Sequence, residues 1–597
     1  DTTWTSQSWT PASTGQTSWE GSSADKLIFN GTSSSNKNGD EWTNAQLFIQ
    51  GTEGNSQKST ITGGTLEFIS QNPATNDANN APGVGYNAVV LGGNSSLTID
   101  VGTLLLGDSV IDQTDKKGGD RGIRLSGSNN TLTIYADRIV SYTGDEFIHV
   151  RQGNGSSVAN IGSADRRIGY FEAHTGWGKD DYGVALLQAN EGNKVFLYAD
   201  EAVLDGSTNS QGGVIGSGGW GEVHVDANKL TINGNICGSY GTMSNADKQL
   251  TLSVRAGTLD MTGDINVGNE AKGNSNFDRN TTVEIEADVL NLKGDIKVDN
   301  NKRTGSKAEG DNISAVNLTV NKTANIIGTI IASQTDGTST VTLGGAGDAT
   351  ASSGKYEVTG DGSSIVFKDS GSWVINEWKG TDGNLTASDS VKVDVNSAVQ
   401  TTSTTLNGTS TLTLNDGAKI SSKTLEGSGG TFLINTADEQ IINIGDYKNT
   451  DAQAVLSGSQ NDKYASADEA VKALEASVGS DTKLSLSAAE GAVADSWKVV
   501  DNGNGTTSLI TQANQKLEGY NTINSLAVFS WRHELNNLQK RMGELRDLNG
   551  NIGAWARVFG SEQKYGDAGQ VNKNTTIQVG ADVKVADAWT IGGAFSY

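Results

Sequence analysis

Apolar and polar residues alternate with period two along most of the chain, the pattern of β-strands that bury one face. Four segments share the same ending: LTINGNI from Leu230, LDMTGDI from Leu259, LNLKGDI from Leu290 and ANIIGTI from Ala324. Their final isoleucines recur after 29, 31 and 34 residues, at Ile236, Ile265, Ile296 and Ile330. We predict that these isoleucines stack in register on one inner face.

A second set of alternating segments precedes the first set. It comprises TLTIYAD from Thr131, KVFLYAD from Lys194, EVHVDAN from Glu222 and TVEIEAD from Thr282. From about residue 340 the period shortens, and steps of 19 and 20 residues separate Val393, Leu412 and Phe432. A period near 20 built from short strands is typical of a β-solenoid, whose coils bury their inner face only by stacking on their neighbours.

These repeats predict an all-β fold with one parallel β-helix over residues 46–436. The chain has 76 glycines but only 3 prolines, which suits many tight turns because glycine tolerates positive φ. An array of small β-sandwich domains is the alternative, and it would show linkers and longer periods.

Both ends of the predicted solenoid differ from its coils. Residues 1–45 contain four tryptophans and are predicted to cap the first coil; these are Trp4, Trp9, Trp19 and Trp42. Residues 437–512 are predicted to form a separate module that resembles an autochaperone. Ser466 and Glu469 have the spacing of a capping box, Gly479 suits a helix C-terminus, and residues 496–510 read as a hairpin.

A single long helix is predicted between two β-rich regions, within a linker over residues 513–550. An apolar stripe with steps of 3, 4 and 3 residues is formed by Leu535, Leu538, Met542 and Leu545. After it, residues 576–585 alternate cleanly, which is typical of an outer-membrane strand with apolar side chains towards lipid. Residues 551–597 are therefore predicted to be the first strands of a barrel that this sequence does not complete.

Composition narrows the function classes. The net charge is −25 and the pI is near 4.6, which disfavours nucleic acid as a partner because no basic patch could neutralise phosphates. One cysteine, Cys237, allows no disulfide framework within the chain. The four histidines and the cysteine do not have metal-ligand spacing, so no metal and no cofactor are expected.

The segment ELNNLQKRMGELRD, residues 534–547, followed by GAWARVFG, resembles the linker and first barrel strand of monomeric autotransporters of type V secretion. It is most similar to the version in enterobacterial serine protease autotransporters, with departures at Leu535, Gln539 and Glu544. The resemblance covers about 80 residues at the C-terminus. It implies a right-handed β-helix passenger, a linker helix inside the barrel pore, and partners in the outer membrane and the barrel-assembly machinery.

The resemblance also implies a cleavage site at Asn536 and Asn537. In that family the side-chain amide of the first asparagine attacks its own backbone carbonyl, forms a succinimide and releases the passenger. Self-cleavage is expected only with a complete barrel, whose carboxylates assist. The alternative is that Asn536 and Asn537 are two polar helix residues without a chemical role.

The resemblance fits two functions for the passenger at the surface of a Gram-negative bacterium. It acts as an adhesin or self-association protein that binds a host-cell or bacterial receptor or itself, or as a secreted glycan-cleaving or protease-like enzyme. No catalytic residues are identified in the passenger, and the string KDSGSW, residues 368–373, only approximates a serine protease motif. A candidate partner-binding loop contains His174, Trp177 and Tyr182, with a plain turn as the alternative.

Overall fold

The computed structural model describes most of the chain, and the statements below concern the described residues. These are residues 2–4, 17–31, 47–70, 87–106, 121–143, 146–151, 155–175, 185–206, 213–216, 221–238, 249–268, 280–300, 313–335, 337–436, 438–517, 519–520, 523–524, 527–528, 531, 550–565 and 570–597. They form two compact units, Asp1–Val455 with Lys472–Leu486, and Leu456–Val471 with Ser487–Tyr597.

The strands of the first part of the chain are β1 Thr2–Trp4, β2 Thr17–Glu20, β3 Lys26–Gly31, β4 Leu47–Ile49, β5 Gln57–Ser70, β6 Asn87–Leu91, β7 Ser95–Leu106, β8 Arg121–Leu125, β9 Thr131–Thr143, β10 Ile148–Val150, β11 Val158–Ile161, β12 Ile168–Thr175, β13 Ala185–Ala189, β14 Lys194–Asp205, β15 Gly213–Gly216, β16 Glu222–Asn233, β17 Asn235–Gly238, β18 Gln249–Thr262, β19 Ile265–Gly268, β20 Asn280–Lys293 and β21 Ile296–Asn300.

The later elements are β22 Ile313–Ile327, β23 Thr329–Gln334, β24 Thr338–Gly344, β25 Lys355–Thr359, β26 Ser363–Phe367, β27 Ser372–Ile375, β28 Glu377–Lys379, β29 Asn384–Ala387, β30 Lys392–Val395, β31 Ala398–Leu406, β32 Thr411–Leu414, β33 Lys419–Gly427, β34 Thr431–Ile434, β35 Ile442–Thr450, β36 Gln453–Leu456, α1 Gly458–Asn461, α2 Ala467–Val478, β37 Ser485–Ala488, β38 Ser496–Asp501, β39 Thr507–Gln512, β40 Ile552–Tyr565, β41 Gln570–Ala586 and β42 Trp589–Ser596.

The first unit is a parallel β-solenoid, which confirms the predicted fold class. Its largest sheet has 19 strands and contains the long alternating segments, such as β14, β16, β18 and β20, each paired in parallel with the next. A second sheet runs through twelve strands from β4 to β28. A third face begins at β27 and continues in parallel through β30, β32 and β34. The handedness of the solenoid stays an expectation from the resemblance.

The predicted isoleucine stack is confirmed and is longer than predicted. Ile236, Ile265, Ile296 and Ile330 are consecutive partners across β17, β19, β21 and β23, and all four are buried. The same register continues in both directions through one buried column. Its twelve members are Leu47, Val89, Ile123, Ile148, Leu187, Ile215, Ile236, Ile265, Ile296, Ile330, Tyr356 and Trp378.

The glycine that precedes each stacked isoleucine is explained by the closeness of successive coils. A Cβ on Gly263 would lie 2.2 Å from the carbonyl oxygen of Gly234, and Gly263 has a φ of +138°. The following side chain bridges the same coils, because Asn235 Oδ1 accepts from the backbone N–H of Asp264 at 2.8 Å. Asp264 in turn accepts from the backbone N–H of Asp295 at 2.8 Å. The Gly-x-Ile repeat, where x is Asn or Asp in the linking coils, therefore encodes a turn in which backbones touch and side chains link the coils.

The shorter period near the end of the solenoid is also confirmed. Val393, Leu412 and Phe432 are register partners and are fully buried. Parallel pairing continues to β35, which lies within the range predicted for the C-terminal module, since Ile420 pairs with Ile442. The predicted domain boundaries stay predictions.

The second unit contains an antiparallel hairpin, as the Asn-Gly turn predicted, with β38 paired to β39. Asn461 holds the chain before it: its Nδ2 donates to the carbonyl oxygens of Ala489 and Asp495 at 3.0 and 2.8 Å. The Oδ1 atom of Asn461 accepts from the indole of Trp497 at 3.1 Å. The capping residue is also as predicted, because the Ser466 hydroxyl accepts from the backbone N–H of Glu469 at 3.3 Å.

The last described strands, β40 to β42, form an antiparallel three-stranded sheet. On β41, apolar side chains are more exposed than the polar side chains next to them. Ile577 and Val579 are 48% and 47% exposed, whereas Gln578 and Asp582 are 2% and 8% exposed. The described residues between 515 and 531 are helical, and within the described part of the chain no helix is long and apolar enough to cross a membrane.

Candidate functional site

A cluster of aromatic and charged side chains lies on the outer face of the large sheet, across β9, β12 and β14. Period two directs Tyr170, Glu172 and His174 of β12 outwards, while Phe171 and Ala173 between them are fully buried. The parallel register places His174 between Tyr142 of β9 and Asp205 of β14. We call Arg138, Tyr142, Tyr170, Glu172, His174 and Asp205 the outer-face cluster.

His174 contacts a carboxylate through each ring nitrogen. Its Nδ1 lies 3.1 Å from Asp205 Oδ2, and its Nε2 lies 2.7 Å from Glu172 Oε1. The imidazole stacks on the ring of Tyr142, with centroids 4.6 Å apart and planes 2° from parallel. The hydrogen bond to Asp205 is the main cause that raises the pKa of His174, with a further contribution from Glu172 and opposition from burial.

Glu172 is the centre of the cluster. The hydroxyl of Tyr170 donates to Glu172 Oε2 at 2.9 Å, and Arg138 lies 3.9 Å from the same oxygen while covering the Tyr170 ring at 4.7 Å. Burial favours a higher pKa for Glu172, but the hydrogen bonds from His174 and Tyr170 outweigh it and lower the pKa. Glu172 therefore stays ionised, which suits binding and does not suit the general acid of a glycosidase.

Of the three residues predicted for partner binding, only His174 is among the described residues. His174 is in the cluster, at the end of β12, whereas Trp177 and Tyr182 lie outside the described residues. Sequence reasoning did not identify Tyr142, Arg138 or Asp205. The strand repeats contain the information needed to find them, because Tyr142 and Asp205 are the register partners of His174 in the neighbouring coils, and Arg138 is the partner of Tyr170. From the sequence, β11 and β12 are not identified as one coil, so this register is not predicted.

Two other histidines have different surroundings. His224 stacks on Phe196 at 4.8 Å, and in the described part of the chain its one carboxylate contact is with Glu222, at 3.3 Å. His149 is buried, with its Nδ1 2.9 Å from Glu146 and its Nε2 3.0 Å from Asn190. Within the described ranges no three His, Cys, Asp or Glu side chains are grouped so as to hold a metal ion.

The serine protease-like string forms a structural turn between β26 and β27. Asp369 adopts a φ of +66°, and its Oδ2 accepts from the backbone N–H of Gly345 at 2.7 Å. Trp373 is buried in β27. The cleavage residues Asn536 and Asn537 lie outside the described residues, so their roles stay predictions.

Comparisons with known proteins find short similar segments. The chain is 44% identical over 80 residues to serine protease EspP of Escherichia coli, a match covering 11% of this chain and 6% of EspP. It is 53% identical over 51 residues to the serine protease Pet autotransporter and to the serine protease Sat autotransporter, from E. coli O44:H18 and O6:H1. Each of these two matches covers 8% of this chain and 4% of the relative.

The chain therefore matches only 4 to 6% of the length of these relatives. No protein-family model matches the chain. No solved structure matches it either. The partial matches support a relationship to autotransporters.

Proposed function

We propose that this chain is the passenger of an autotransporter, displayed at the surface of a Gram-negative bacterium, where it acts in adhesion or self-association. The observation that carries the proposal is the continuous parallel pairing from β5 to β35, which in the described residues proceeds from coil to coil. Such a solenoid extends exposed faces over many coils, and repeat proteins use such surfaces for binding.

The sheet β40–β42 supports the outer-membrane part of the proposal. Apolar side chains are exposed on β41, where Val583 and Val585 are 39% and 55% exposed. Outer-membrane strands direct apolar residues to lipid and polar residues inwards. We propose that these strands begin the membrane anchor and that the outer-face cluster contributes to partner binding.

Surface display and cell clumping test the proposal. The coding sequence for residues 1–550 would be joined to a complete autotransporter barrel and expressed in a non-aggregating E. coli strain. We expect external protease to digest the passenger on intact cells, and cells to settle or to bind host cells. The matched control carries the same barrel without residues 1–436.

Proteolytic activity would support the alternative function. The similar relatives are serine proteases by name, so hydrolysis of casein by the medium is measured in parallel. A passenger that is displayed but causes neither clumping nor cell binding, and that releases activity into the medium, contradicts the adhesive function.

A further inference from the structure

The proton content of His174 follows from its geometry. Both ring nitrogens face carboxylate oxygens, at 3.1 Å for Asp205 and 2.7 Å for Glu172. A neutral imidazole has one N–H and one lone pair, and a carboxylate can only accept. A neutral His174 would therefore direct a lone pair at one of the two carboxylates, whereas the imidazolium donates to both.

The described charged groups around His174 come from all three strands. From β9, Arg138 contacts Glu172, and Tyr142 stacks on the imidazole. From β12, Tyr170 donates to Glu172. From β14, Glu201 is the register partner of Tyr170, and Lys229 of β16 binds Glu201 at 2.7 Å. The negative charge of Glu201 is thus paired with Lys229. His174 is the cation that bridges Glu172 and Asp205.

The contacts are located where three strands end. Tyr142 is the second-last residue of β9, His174 is the second-last residue of β12, and Asp205 is the last residue of β14. Strand ends are held by fewer ladder hydrogen bonds than strand interiors, so a local contact has a larger effect on their opening. The bridge joins the second-last described residues of β9 and β12 to the last residue of β14.

We propose that His174 is a proton-dependent clamp: when doubly protonated it holds the ends of β9, β12 and β14 together, and loss of one proton releases them. The inference does not depend on the adhesive function. His224 offers a matched comparison, because it also stacks on an aromatic ring, Phe196, but among the described residues it contacts one carboxylate only, that of Glu222. A neutral imidazole with one N–H satisfies that contact.

The sign of the pH dependence follows from the directions of the pKa changes. The pKa of His174 is raised above its ordinary 6.5, so its stabilisation is present below that pH and is lost as the pH rises through the folded-state pKa. The pKa of Glu172 is lowered, so its stabilisation is present above the ordinary 4.5 and is lost as the pH falls. The clamp is therefore closed between the folded-state pKa of Glu172 and that of His174, and it opens as the pH rises through the pKa of His174.

Hydrogen exchange of the purified 597-residue chain tests the clamp. Amide exchange at residues 170–175 and 200–205 would be measured from pH 5 to 9 and corrected for the intrinsic rate. After this correction we expect more frequent opening at alkaline pH than at pH 5 to 6, because the imidazolium has lost the proton with which it bridges two carboxylates. His174→Phe retains a ring for stacking and should open equally at every pH, whereas His224→Phe should keep the wild-type profile.

A second measurement keeps the proposal falsifiable if His174→Phe does not fold. The chain has four histidines, so selective labelling gives a simple NMR titration. We expect the His174 signal to titrate above pH 6.5, and Asp205→Asn to lower that midpoint. A midpoint at or below 6.5, or identical exchange profiles in wild type and His174→Phe, overturns the clamp.

Discussion

At the scale of single residues, one buried column connects twelve coils. Ile265 lies in its middle between Ile236 and Ile296, and all three are fully buried. Because no coil can bury its inner face alone, each internal member of the column packs against two neighbours.

Ile265→Ala is therefore expected to lower the free energy of unfolding by about 2–5 kcal/mol through the cavity it leaves. Ile327→Ala is the matched control, because Ile327 is 53% exposed and its truncation should change stability by less than about 0.5 kcal/mol. Denaturant unfolding measures both. Equal losses in the two variants would show that the column is not the core.

The glycines of the repeat allow a second comparison. Gly263→Ala is expected to lose more stability than Gly417→Ala. Gly417 has a φ of +80° and only one nearby atom, at 3.9 Å, so its substitution isolates the cost of the left-handed backbone, about 1–2 kcal/mol. Gly263→Ala adds a collision with the Gly234 backbone. Thermal unfolding of both variants measures the two losses of stability. Similar melting temperatures would contradict the close approach of the coils at Gly263.

At the scale of elements, the coil between β9 and β14 is interrupted. Its strands β11 and β12 both pair with β9 and β14, and residues 162–167 leave the sheet between them. Arg167 from this segment donates to the carbonyl oxygen of Ala199 at 2.8 Å and to Asp226 Oδ1 at 2.7 Å. The interruption is thus fastened to the next two coils.

Arg167→Ala is expected to lower the free energy of unfolding by about 1.5–3 kcal/mol, the range for hydrogen bonds made by a charged group. Arg255→Ala is the control, since Arg255 is 65% exposed, lies 3.6 Å from Glu286 and should contribute less than about 1 kcal/mol. Urea unfolding measures the difference. A loss for Arg255→Ala as large as that for Arg167→Ala would mean that the segment is not fastened by its arginine.

At the scale of the whole molecule, the linker sequence leads to a prediction about cleavage between passenger and barrel. With a complete barrel supplied, we predict a cut between Asn536 and Asn537. Asn536→Asp removes the amide nitrogen that would attack the backbone carbonyl in the predicted reaction, while keeping the size of the side chain. This variant should yield an uncut protein that still reaches the cell surface.

Mass spectrometry of the released passenger measures the cleavage site. Asn537→Ala is the control and should slow cutting less, because it changes only the residue that is released. A passenger that ends at a residue other than Asn536, or normal release from Asn536→Asp, would contradict self-cleavage by the Asn536 amide, although the linker sequence is similar to that of its relatives.

Much of the architecture could be predicted from sequence, because each coil of a solenoid repeats a similar pattern of apolar and polar residues. The four isoleucines, the steps from Val393 to Phe432 and the alternation around Ile577 each repeat a local pattern that sets which face is buried. The capping serine, Ser466, and the hairpin turn are equally local. All these features depend on residues close together in the chain.

The outer-face cluster could not be predicted in the same way. Only the coil register brings Tyr142 and Asp205 to His174, and that register depends on the lengths of the connections between coils. The register around His174 was not visible in the sequence, because this coil is divided into two short strands, β11 and β12, which together do not have the sequence of one long strand. The sequence by itself determined the strands and their inner faces through period two. The tertiary structure decided which outward side chains meet, because stacking joins residues that are one coil apart.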